Sequence, residues 1–95
     1  MDKDVIKTLV ETNDYTYNLL KASEEFQELA LVLTQLALKP KKVKAQEVID
    51  EIGDCKIRMK IIEAFFDKNK IEERIEFKIN NFKRYLEEGR YKGGI

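Results

Sequence analysis

Apolar residues along this chain recur every three or four positions, and nowhere do they persist in one-by-one alternation. That rhythm belongs to helices that each bury one stripe. Val5, Ile6, Leu9 and Val10 form the inner face of a short first helix over Lys3 to Glu11. Thr12, Asn13 and Asp14 are capping residues that break it, and a second helix starts near Tyr15. This second helix runs to about Leu38, because Pro40 cannot continue it. Lys39 to Lys44 is a short connection carrying four lysines. A third helix starts at Val43 or Ala45 and is expected to reach about Asp67, with Asn69 as the turn or cap. A fourth covers Ile71 to Glu88 and stops at Gly89. Gly93 and Gly94 mark residues 90–95 as a flexible tail. The fold class that follows is all-α: one four-helix bundle-like domain over 1–95.

Winding these helices at about 100° per residue places the stripes. On the second helix Leu19, Ala22, Phe26, Leu29, Leu33 and Leu36 gather on one side, with Glu25 inside the edge of that stripe and Glu28 just outside it. The third helix gathers Ala45, Val48, Ile52, Cys55, Met59, Ile62 and Phe66. Glu51 borders this stripe, and Asp54 lies toward the polar side. In its latter half Ile57, Ile61, Ala64 and Phe65 wind to the opposite side, so this helix asks to be covered twice. Ile71, Ile75, Ile79, Phe82 and Leu86 on the fourth helix can cover part of that surface, and a second protomer the rest.

Composition narrows the function classes. Ninety-five residues make one domain near the lower end of what buries a good core. Lys+Arg and Asp+Glu are equal at 18 each, which removes any overall electrostatic reason to seek nucleic acid or an anionic membrane. No apolar run approaches the roughly 20 residues that cross a bilayer. The lone Cys55 cannot form an intramolecular disulfide, and Met1-Asp2-Lys3-Asp4 carries no signal-peptide pattern, so a cytoplasmic protein is expected. Histidine is absent, which excludes imidazole bases, His-ligated metals and Glu-x-x-His di-iron sites. What remains is oxygen chemistry.

That chemistry concentrates in Glu25-Phe26-Gln27-Glu28 and Glu51-Ile52-Gly53-Asp54. Each step puts two carboxylates one helical turn apart, and antiparallel packing of the two helices would bring all four together as a site for a hard cation. Ordinary surface pairing competes with this reading: Lys21 is four residues before Glu25, and Arg58 four after Asp54. Glu47-Val48-Ile49-Asp50 repeats the same spacing one turn earlier, but winds further from the stripe. Cys55, on the apolar side beside Asp54, reads as a packing residue and not a nucleophile.

The run Glu-Glu-Phe-Gln-Glu-Leu at 24–29 and Asp-Glu-Ile-Gly-Asp-Cys at 50–55, with 22 residues between Glu28 and Glu51, resembles the E-x-x-E then E-x-x-D signature of the MazG-like all-α nucleoside triphosphate pyrophosphohydrolases. The resemblance extends from about Leu19 to Tyr85. It implies that Glu25, Glu28, Glu51 and Asp54 bind Mg2+, with Mn2+ as a substitute. It also favours Glu51 and Asp54 over Glu47 and Asp50. The implied reaction is hydrolysis of a ribo- or deoxyribonucleoside triphosphate at the α-phosphate. Any of the four carboxylates could serve as base, Glu28 first among them, and Glu51 is the second catalytic candidate. Asn81-Phe82-Lys83-Arg84-Tyr85 is similar to an N-x-x-R-Y stretch on the last helix of some members. Those members carry a lysine four residues before the asparagine, where this chain has Phe77, with Lys78 one place later.

Lys78, Arg84, Arg58 and the lysines of the connection are therefore the candidates for phosphate contacts, and Asn81 for a base or ribose edge. Tyr15, Phe26 and Tyr85 have the surface to stack on a base, although packing in the core explains them better. The family also implies a homodimer or homotetramer. Two other classes stay open beside the enzyme: a non-catalytic helical interaction or regulatory module, and a degenerate family member that binds nucleotide without turnover.

Overall fold

The computed structural model describes residues 1–89, and the tail expected over 90–95 lies outside them. Its elements are α1 (Lys3–Thr12), α2 (Tyr15–Leu38), a 3-10 turn (Pro40–Lys42), α3 (Ala45–Glu63) and α4 (Lys68–Glu87). The architecture is all-α, with no strand among the described residues. The helices fall into two compact units, residues 1–65 and the α4 segment from Phe66 onward.

Aspartates start three of the four helices. Asp2 accepts from the amides of Asp4 and Val5 at 3.0 and 3.1 Å, and Asp14 from Tyr17 at 2.7 Å. Asp67 accepts from Asn69 and Lys70 at 2.9 and 3.2 Å. Each such cap contributes about 1 kcal/mol by satisfying amides that have no partner in the first turn. The last cap corrects the sequence reading. α3 stops at Glu63 instead of about Asp67, and Asp67, not Asn69, caps a fourth helix that begins three residues earlier than expected. A carboxylate that takes two amide hydrogens outweighs the apolar periodicity running through Phe65 and Phe66. At the other end Gly89 follows the C-cap with φ 69°, the left-handed conformation that glycine adopts without penalty.

In the first unit α2 packs along α3, and α1 packs on α3 as well. The α2–α3 pair is antiparallel: Tyr15 meets Phe65 edge to face at 5.1 Å, Leu19 and Phe26 share a groove with Ile62, and Cys55 meets the Glu25 backbone. Positions rise along one helix as they fall along the other. Ala22, Val43, Val48, Cys55 and Ile61 form the buried core. Val43, in the lysine connection, is held inward as the chain leaves the 3-10 turn.

Ile61 has no solvent exposure although it lies opposite the apolar stripe read from the sequence. α1 packs on that side of α3, with its Ile6 and Val10 on a groove shared with Ala64. The consequence is a rotation of α3. Its inward face runs through Val48, Glu51, Cys55, Arg58 and Ile61, about 60° from the expected centre. Ile52 and Met59, expected inside, are 40% and 44% exposed. Two flanking helices pull α3 toward a compromise that serves both, and the stripe's outer edge is left in solvent.

Candidate metal centre

Rotation of α3 carries Glu51 from the border of the packing face to its interior. Glu25 lies opposite, on the face of α2 that holds the buried Asn18 and Ala22. Antiparallel packing then brings Glu28 of α2 beside Glu51. Carboxylate oxygens of Glu25, Glu28 and Glu51 lie within 4.8 Å of one another. Glu25 and Glu51 are half-buried, whereas Glu28 is exposed and forms the open side of the cluster. Asp54 is exposed and outside this trio, but its charge acts on both half-buried members.

Burial first, then repulsion from Glu28 and Asp54, pushes the Glu25 carboxyl above its ordinary value; Lys21 pulls it back and Glu24 adds a further push. Glu51 is raised by burial, then by the like charges of Glu28, Glu25, Asp54 and Asp50. One of its oxygens, Oε2, is buried without a hydrogen-bond partner among the described residues. A carboxylate oxygen withdrawn from water, faced by like charges and given no donor is costly unless a cation or a proton compensates it.

The ordinary pairings anticipated for these acids do not form. Lys21 sits 3.4 Å from Glu24 instead of pairing with Glu25. Arg58 is half-buried on α3 and makes no ion pair with Asp54 among the described residues. Glu47 and Asp50 are exposed and outside the trio, and Asp50 accepts from the Gln46 amide at 2.7 Å. The same helix thus holds one acidic step that is solvated and one whose glutamate is turned inward.

Cys55 locks the register of the two helices. Its thiol donates to the Glu25 carbonyl oxygen at 3.2 Å, across the interface and one turn from Glu51. Burial, followed by the charges of Glu25, Glu51, Asp54 and Glu28, pushes the thiol up and keeps it protonated, which suits packing and opposes nucleophilic chemistry. Asn18 escaped the sequence reading. It is fully buried two turns before Glu25, donates to the Asn13 carbonyl at 3.5 Å, and leaves its Oδ1 without a partner. Winding α2 places Asn18 on the Glu25 face, and that was the available signal.

Lys78, Asn81 and Arg84 lie on α4, in the second unit. Lys78 Nζ stands 5.4 Å from the Phe82 ring centroid, and Arg84 Cζ 5.4 Å from that of Tyr85. Both cations are therefore seated on aromatic faces of their own helix.

An all-oxygen donor set of three carboxylates, one of them exposed, fits a hard divalent cation that keeps water and takes further oxygen ligands. It does not suit a soft or imidazole-preferring metal. Comparison with protein-family models, curated proteins and solved structures gave no match.

Proposed function

We propose that this chain is a Mg2+-dependent nucleotide pyrophosphohydrolase that cleaves a ribo- or deoxyribonucleoside triphosphate to the monophosphate and pyrophosphate. One observation carries the reading: Glu25, Glu28 and Glu51 converge from two antiparallel helices, and Glu51 buries an oxygen that has no hydrogen-bond donor among the described residues. The spacing of these acids supplies the reaction class through its resemblance to MazG-like enzymes. Glu25, Glu28 and Glu51 would hold a divalent cation, which would supply positive charge against the phosphates and acidify the attacking water.

In this reading Glu25 and Glu51 hold the cation from the protected side, and Asp54 adds negative charge at the margin. Glu28 faces solvent, where it can accept a proton from a water attacking the α-phosphorus. The water oxygen joins the monophosphate as the α–β anhydride bond breaks, and pyrophosphate leaves. Lys78, Arg84 and Arg58 are proposed for phosphate contacts, and Asn81 for the base or ribose. Self-association, as a homodimer or homotetramer, is also proposed. Leu31, Leu33, Leu36 and Leu38, on two sides of α2, and Ile49 and Ile52 on α3 are exposed apolar positions open to a second protomer. No helix among the described residues is long and apolar enough to cross a membrane.

The test is pyrophosphate release from a panel of ribo- and deoxyribonucleoside triphosphates with Mg2+ or Mn2+, alongside melting curves with metal and a non-hydrolysable triphosphate. Monophosphate and pyrophosphate as products support the enzyme. A thermal shift without turnover identifies a nucleotide-binding protein that does not catalyse. Neither turnover nor shift at millimolar metal leaves the helical interaction module.

A further inference from the structure

A groove of about 420 Å3 lies between α1 and the C-terminal end of α3, away from the carboxylate cluster. Met1, Ile6, Val10 and Ala64 supply its apolar floor, with Lys3 and Lys7 on the α1 wall and Lys60 on the α3 wall. Its size is that of small-molecule sites, which run from roughly 300 to 1,000 Å3. Lys3 and Lys7 are one helical turn apart on the α1 wall, and neither has an ion pair among the described residues. Lys60, on the opposite wall, pairs with Glu63 at 3.7 Å in an exposed contact that water and a competing anion can displace.

We infer that this groove binds a small amphipathic anion, an aliphatic carboxylate whose chain lies on Ile6, Val10 and Ala64 and whose head is held by the three lysines. Charge and polarity select this occupant. The floor offers aliphatic carbon and almost no hydrogen-bonding group, which suits a saturated chain and not a sugar or a base. The walls carry cations on both helices, which suits a single anionic head. From Lys3 to Val10 the α1 wall is about 10 Å long, short for a partner helix and long enough for a medium chain. Long lysine stems add carbon to the walls.

The experiment titrates the labelled full chain with decanoate, below its micelle concentration, and follows the methyl resonances of Ile6, Val10 and Ala64. Decanoate is expected to shift these signals saturably, and decyltrimethylammonium and inorganic pyrophosphate to shift them at least about tenfold more weakly. Lys3→Gln with Lys7→Gln, both exposed and remote from the core, should weaken decanoate binding about tenfold or more. Ala64→Leu, which fills the floor, should weaken it without changing helix content. Equal response to the cationic amphiphile or to pyrophosphate overturns the proposal, as does unchanged binding by the lysine double variant. Movement of the same signals with protein concentration alone would assign the groove to a second copy and overturn it too. None of these outcomes depends on the carboxylate site.

Discussion

Two Glu-x-x-Asp steps stand one turn apart on α3 and have opposite fates. Glu47 and Asp50 face water, where Asp50 takes the Gln46 amide as a neighbour. Glu51 turns inward beside Glu25 and Glu28, with an oxygen that nothing donates to. Residue type and spacing are the same, so neither can be the cause. The four-residue offset rotates the second step by about 40° on the helix, and that rotation decides which glutamate enters the seam. An acidic pair becomes a candidate site through what faces it.

The largest expected difference between the two steps is in turnover. Glu51→Gln should reduce pyrophosphate release by roughly 100-fold or more, whereas Glu47→Gln should stay within about twofold of wild type. Circular dichroism should show the same helix content in both. Equal losses would mean that the inward orientation of Glu51 is irrelevant to activity.

Stability against pH should separate the steps next. The folded-state carboxyls of Glu25 and Glu51 are raised above the ordinary 4.5, so the folded state holds protons that the unfolded state releases. Their contribution is fully present below 4.5 and is lost as pH rises through the raised folded values. Melting curves in chelator should therefore show a loss above pH 4.5 that saturating Mg2+ suppresses. Glu51→Gln should flatten this profile and Glu47→Gln should leave it unchanged. A flat wild-type profile would remove the electrostatic basis of the comparison.

Glu25→Gln tests the same strain from α2. Removing one of the facing charges should raise the melting temperature in chelator by about 2 °C and reduce the Mg2+-dependent shift. An unchanged or lower melting temperature in chelator would show that the carboxylates are already relieved. An effect of similar size concerns Gly53, inside the Glu51–Asp54 step. An added Cβ there meets nothing within 4 Å, so Gly53→Ala should stabilise α3 by about 0.5–1 kcal/mol through helix propensity alone. A loss of stability would place an unseen neighbour against this step.

Much of the fold was legible because its signals are local. Asp14, Pro40 and Gly89 mark helix ends by chemistry that acts within a few residues, and each end falls close to where that chemistry puts it. The α3–α4 junction was harder, because Phe65 and Phe66 extend the apolar rhythm beyond the point where Asp67 begins a new helix. Lys21 had two acids within reach, and only side-chain geometry selected Glu24 over Glu25. Asn18 is not legible in the same way, because a polar residue on an apolar face breaks the pattern by which faces are recognised. Glu25 lies on the same face but is a carboxylate, whose cost when turned inward is large enough to mark it.

By itself the sequence determined an all-α chain, the starts of its first two helices, and acidic pairs one turn apart on the second and third. These follow from hydrogen bonding and periodicity, which act within about a turn of the residue concerned. Only the tertiary structure decided which acids meet. α3 is apolar on two sides, so its periodicity admits more than one inward direction. Docking of α2 and α1 on the same helix selected the direction that buries Ile61, exposes Ile52 and Met59, and closes Glu51 on Glu25 and Glu28.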